Sequence, residues 1–119
     1  FMFSILFIAC GDGRDPSVVT PPPHSPQDSL MAAFDALDQR IIAEPGNAAL
    51  YAERAELNME RDSLSRAIKD LERAVQLDSM SVDHRIRLGD LYYSAVRLGN
   101  ARDQFNRAMD IAPATEEAA

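Results

Sequence analysis

Apolar residues recur along this chain at helical spacing, and turn-forming residues interrupt them at short intervals. Leu30, Phe34, Leu37 and Ile41 make one stripe, while Asp28, Asp35, Asp38, Gln39 and Glu44 fall off it. Steps of three and four residues bring side chains onto one side of a helix. Ser25 stands where a capping hydroxyl belongs, Pro26 suits the first helical position, and Asp28 supplies a capping carboxylate. Pro45, Gly46 and Asn47 stop this helix and restart the chain. Carried to the end, the pattern predicts an all-α chain of five helices, over about residues 26–44, 48–61, 64–78, 82–95 and 99–112.

The pattern also repeats. Residues 48–81 lie over residues 82–115 without a gap. Ala55 aligns with Gly89, Ala67 with Ala101, Leu71 with Phe105, Ala74 with Ala108 and Leu77 with Ile111, every pair 34 residues apart. Asp70 aligns with Gln104, and Arg73 with Arg107. The spacing has a physical reading. Ala55 and Gly89 are small, so the two helices of a hairpin can approach closely. Ala67 and Ala74, like Ala101 and Ala108, are two helical turns apart on one face, with Leu71 or Phe105 filling the gap between them. An alanine-rich coiled coil would not keep the turn signals at residues 61–63 and 96–100.

A period of 34 residues with these small positions resembles the tetratricopeptide repeat. Tyr51 matches the large residue that opens its first helix, Leu88-Gly89 and Tyr92 match its Leu-Gly and Tyr, and Pro45 and Pro113 match its closing proline. Some positions depart from it. Arg85 replaces the opening aromatic of the second repeat, Arg54 and Asn58 replace apolar residues of the first, and Ser79 replaces a closing proline. Val96 occupies a turn where Gly or Asn eases a left-handed backbone. The resemblance implies tandem antiparallel helical hairpins stacked as a superhelix. It divides the chain into a packing helix or degenerate half repeat at 26–44, in which Arg40 stands where a small residue is expected, a first repeat at 45–81 and a second at 82–115. Residues 116–119 read as the opening of a further repeat. Such units need roughly three or more copies to bury their apolar faces, so a longer array is expected.

The beginning of the chain has a different character. Nine of the first ten residues, Phe1–Cys10, are apolar, and the chain then turns polar at Gly11–Asp15. A bilayer span needs about 20 such residues, whereas a signal-peptide core needs fewer. Phe7-Ile8-Ala9-Cys10 resembles the lipobox of bacterial lipoproteins, with a small residue before the cut and a thiol to accept the lipid. Phe7 in place of the usual Leu, and the missing basic segment, depart from that pattern. Cys10 is the single cysteine, which excludes an intrachain disulfide and gives lipidation a reason to hold it. Residues 1–9 then read as a signal-peptide remnant. Residues 10–25, with Pro21, Pro22 and Pro23, read as a disordered, proline-rich tether unable to bury a core. The expected location is the bacterial cell envelope, with a lipid anchor in the membrane.

Charge and chemistry narrow the function. A net charge of −7 over 119 residues disfavours nucleic acid as a partner. Neither a phosphate loop nor a nucleophile–base set is legible, and His24 and His84 lack a second ligand at metal spacing. No cofactor, metal or catalytic residue is expected; His84 is read as solvent-exposed. In the resembled family, ligands lie in a concave groove lined by the first helix of each hairpin. Carried over position by position, that groove is Ala49, Ala52, Glu56, Met59 and Glu60, then Asp83, Ile86, Asp90, Tyr93 and Ser94. Cations that clamp a terminal carboxylate in chaperone-binding members are absent from these positions. The resemblance thus implies a protein-binding scaffold whose partner is a basic or apolar protein or peptide. A nutrient- or glycan-binding lipoprotein, or the accessory region of a longer enzyme, are the alternatives.

Overall fold

The computed structural model describes residues 25–117, which form five helices: α1 (Pro26–Ala43), α2 (Ala48–Glu60), α3 (Leu64–Leu77), α4 (Val82–Ser94) and α5 (Leu98–Glu117). The signal-peptide remnant, Cys10 and nearly all of the proline-rich tether lie outside the described residues. α2 pairs with α3 and α4 with α5 as antiparallel hairpins, and α3 packs on α4 as α1 packs on α2. Each helix therefore touches its neighbours in sequence, which is the packing logic of a solenoid.

Helix starts follow from local chemistry. The Ser25 hydroxyl accepts from the Asp28 N–H at 3.1 Å, and the Asp28 carboxylate accepts from the Ser25 N–H at 3.2 Å, a reciprocal capping box. Asn47 caps α2 through the Ala49 N–H, and Ser81, one period later, caps α4 through the His84 N–H, each at 3.2 Å. Turns inside the two hairpins repeat as faithfully. Ser63 N–H donates to Asn58 O at 2.8 Å and Asp62 N–H to Met59 O at 3.0 Å. Arg97 and Val96 make the corresponding bonds to Tyr92 O and Tyr93 O at 2.8 and 3.0 Å. Both ends are Schellman motifs, and their left-handed residues are Asp62 (φ 54°) and Val96 (φ 60°).

The departures flagged by the sequence are accommodated by substitution of role. Tyr51 donates its hydroxyl to Pro45 O at 2.9 Å, pinning the turn before α2. Arg85, one period later, donates Nε to Ser79 O at 2.9 Å and so pins the turn before α4. Arg85 further donates to the Gln104 side chain at 3.0 Å, which ties α4 to α5. A guanidinium thus performs the anchoring that a tyrosine performs in the first repeat.

The core is built on the small positions. Ala67 and Ala74 are fully buried, and Ala55, Ala101 and Ala108 are nearly so. Leu50 and Leu88 are the largest fully buried side chains, each contributing roughly 1.5–3 kcal/mol by removal from water. Gly89 carries the tightest contact: a Cβ there would lie 2.5 Å from the Phe105 ring. Phe105 occupies the register position of Leu71, so the larger ring in the second hairpin is matched by loss of the Ala55 methyl.

One boundary differs from expectation. Pro113, read as the residue that closes the last helix, lies inside α5, which runs on to Glu117. An interior proline removes one N–H from the ladder and crowds the carbonyl four residues back, yet α5 continues through it, and no glycine follows to turn the chain away. No turn separates Glu116 from α5, while Ala118 and Ala119 lie outside the described residues.

Val96 is β-branched, left-handed and 78 % exposed, so its side chain gives little packing in return for its strain. Val96→Asn should therefore stabilise the protein by up to about 1 kcal/mol. A thermal midpoint higher by roughly 4–8 °C per kcal/mol is the expected calorimetric result; an unchanged or lower midpoint would contradict the strain.

Candidate functional site

α2 and α4 stand side by side, and a cleft of about 240 Å³ runs between them. Its α2 wall is Ala52, Ala55, Glu56 and Met59, its α4 wall is Arg87, Asp90 and Leu91, and Leu71 of α3 is also in its lining. A cleft of about 300 Å³ between α1 and α2 repeats this arrangement one period earlier. There Leu37 stands for Leu71, Glu53 for Arg87, Glu56 for Asp90 and Leu57 for Leu91. The outer side of α4 carries the same set once more: Ile86, Asp90 and Tyr93 are in register with Ala52, Glu56 and Met59. Ile86 is 43 % and Tyr93 66 % exposed.

The ten expected groove positions therefore distribute over successive clefts. The cleft between α2 and α4 brings together Ala52, Glu56, Met59 and Asp90. Ala49, Glu60, Asp83, Ile86, Tyr93 and Ser94 lie outside its lining and are exposed. Ala52 is 4 % exposed and belongs to the core, so it supplies cleft wall and little contact area. Ser94 spends its hydroxyl on Asp90 O, at 3.0 Å within its own helix.

The electrostatics are less one-sided than the sequence suggests. Arg87 bridges the cleft by pairing with Glu56 of α2, and it also holds Asp83 at 3.0 Å one turn back on α4. Two of the acidic residues are thereby neutralised by one cation, while Glu60 and Asp90 have no ion-pair partner among the described residues. Arg40 and Glu53 span the preceding cleft at 3.2 Å. Both pairs are well exposed and are worth little in stability, roughly 0–1 kcal/mol; their effect is on the charge a partner would meet. Arg87 stands on a first helix, α4, but at the register position of Glu53, which the expected groove set does not include. Its spacing of four residues from Asp83 was the available signal.

His84 is not the exposed residue that its place at a helix start suggested. Its side chain is only 12 % exposed, and Nδ1 is buried without a hydrogen-bond partner among the described residues. One period earlier that position is the fully buried Leu50, so the register drives the imidazole inward between α3 and α4. Nothing near it assembles into chemistry: no group of three or more His, Cys, Asp or Glu able to hold a metal occurs among the described residues.

On the other side of α2 the polar departures meet. Arg54 donates to both Asp70 oxygens, the shortest contact being 2.8 Å, and to Asp38 at 3.0 Å. Asn58 donates to Asp70 at 2.9 Å. The hydrogen bond to Asp70 raises the Arg54 pKa further above its ordinary value, burial opposes this, and Asp38 adds to it. In the second hairpin the corresponding residues are Leu88, Tyr92 and Gln104. Tyr92 is buried and donates to Glu72 at 2.7 Å; burial first, then that bond, push its pKa up to about 12.

The sequence matches no known protein-family profile and no curated relative. Solved structures do match the fold. A MamA structure (RS-1, ArsTM double mutant) aligns with TM-score 0.71 and 19 % identity over 75 % of this chain and 50 % of that one. A second MamA crystal structure aligns with TM-score 0.71 and 19 % identity over 76 % and 53 %. The second tetratricopeptide domain of Spaghetti (RPAP3), bound to the HSP90 peptide SRMEEVD, aligns with TM-score 0.63 and 24 % identity over 71 % and 79 %. The chain spans about half the length of the MamA structures it matches. With the 34-residue register, the paired helices and the small-residue contacts, these likenesses give residues 26–117 the tetratricopeptide-repeat fold.

Proposed function

We propose that this chain is a non-catalytic scaffold that binds a protein or peptide partner through its concave clefts. The observation that carries the reading is the preformed cleft between α2 and α4. It has apolar walls at Ala55, Leu71 and Leu91 and charges at its rim in Glu56, Arg87 and Asp90. Rigid walls lower the ordering cost of binding an extended segment. The RPAP3 domain, captured with a peptide, supports this use of the fold. Met59, Ile86 and Tyr93 supply exposed apolar area beside Glu60 and Asp90, which favours a partner segment with basic and apolar side chains. Met59 and Tyr93 share a register position on α2 and α4, and Ile86 lies two turns before Tyr93, so a partner can run across both helices.

The lipobox-like Phe7–Cys10 supports a second element of the reading, in which Cys10 carries a lipid that holds the scaffold on a bacterial envelope membrane. No described helix is long and apolar enough to cross a membrane.

Affinity capture from envelope extract tests the clefts. Wild type should retain partners that Tyr93→Ala and Glu56→Arg lose, at least in part; both variants retaining every partner at wild-type yield would refute the groove. Metabolic labelling with a palmitate analogue tests the anchor. Label should enter the wild type and not Cys10→Ser, and equal labelling of the two would end the lipoprotein reading.

A further inference from the structure

A cleft of about 500 Å³ lies between α1 and α3, floored by the Arg54–Asp70 network. Arg54, Asn58 and Arg61 lie about half a turn around α2 from Ala52, Glu56 and Met59, so this cleft opens away from the concave ones. Its charge is also opposite. Asp70 and Asp38 are engaged by Arg54 and Asn58, which leaves the floor without an available anion except at the exposed edge of Asp38. Arg61, Arg66 and Lys69 ring the opening, and none has a carboxylate partner among the described residues. Arg61 rests 5.0 Å over the Phe34 ring, which holds its guanidinium at the cleft. Asp35 and the exposed edge of Asp38 oppose this group. A chain of net charge −7 thus gathers its single lysine and three arginines around one cavity.

The neighbouring interface shows that the cavity is a departure from the repeat. One period later, Leu88 and Tyr92 stand for Arg54 and Asn58 and are 2 % and 6 % exposed. Ile68 stands for Phe34, and Ala95, Asn100 and Asp103 stand for Arg61, Arg66 and Lys69. That interface is filled by apolar side chains and keeps none of the three cations. In the first hairpin, a largely buried ion pair replaces apolar packing, which is a weak way to gain stability. Departures of that kind concentrate where a protein has work other than folding. Met31, 63 % exposed, and Phe34 add an apolar wall to the cationic rim.

We infer that the cleft between α1 and α3 is a second docking site, which takes an acidic peptide segment carrying an apolar side chain. Carboxylates of the segment meet Arg61, Arg66 and Lys69, and its apolar residue lies on Met31 and Phe34. This site is separate from the concave clefts and asks for a partner of opposite charge.

The test uses the whole 119-residue chain and a fluorescein-labelled peptide that alternates glutamate pairs with leucine and phenylalanine. Anisotropy should report saturable binding that weakens with added salt. The exposed pair Arg66→Glu and Lys69→Glu together should weaken it about tenfold, or about 1.4 kcal/mol, and Met31→Ser about threefold. The charge-matched control Arg102→Glu with Arg107→Glu, at exposed positions of α5 that line neither cleft, should leave it unchanged, which separates this site from a general loss of positive charge. Circular dichroism checks that each variant keeps its helices. The inference falls if the charge-reversed Arg66 and Lys69 variant binds as wild type does, if the Arg102 and Arg107 control weakens binding equally, or if a lysine-for-glutamate peptide binds equally well. It falls equally if phosphatidylglycerol vesicles are bound through these cations while the peptide is not.

Discussion

The close approach of neighbouring helices is the constraint on which the structure depends. Ala67 and Ala74 are fully buried, and Ala101 and Ala108 are nearly so, because no larger side chain would let these helices pack. Gly89 makes the same point more sharply, since the Phe105 ring occupies the space a Cβ would need. Protein interiors are packed too densely to absorb such an addition without movement. With that spacing set, the remaining features fall at fixed intervals: caps at Asn47 and Ser81, left-handed turns at Asp62 and Val96, and anchoring side chains at Tyr51 and Arg85.

A repeated backbone also explains where variation is tolerated. Most positions that face the helix partner hold to small or apolar residues, and Asn58, Asp70 and Arg85 are buried exceptions. At the clefts Glu53 gives way to Arg87, while Glu56 is kept as an acid in Asp90. The ion pairs on these faces are exposed, so they add little to stability and leave folding to the core.

Much of this was legible in the amino-acid order because it is local. Ser25 with Asp28, the alanines seven apart and the turn at residues 61–63 each act within a few positions, and their 34-residue recurrence sets the hairpins in register. What escaped depends on contacts distant in sequence. Arg87 enters the cleft through Glu56, 31 residues away, and Asp70 gathers Arg54 and Asn58 from the facing helix. His84 looked exposed by its polarity, yet the register that buries Leu50 buries it too. Pro113 reads as a stop by its chemistry alone, but α5 continues through it to Glu117.

The claim that matched small and large residues set the helix spacing is tested most directly by a double-mutant cycle of Gly89→Ala and Phe105→Leu, measured by equilibrium unfolding. Alanine gains about 1 kcal/mol over glycine within a helix, but overpacking against the ring costs about 1–3 kcal/mol. The single Gly89→Ala variant should therefore lose stability or gain none. The double variant recreates the Ala55–Leu71 pair of the first hairpin and should recover at least about 1 kcal/mol beyond the sum of the single changes. Additive effects, within about 0.5 kcal/mol, would contradict the packing constraint on which this account rests.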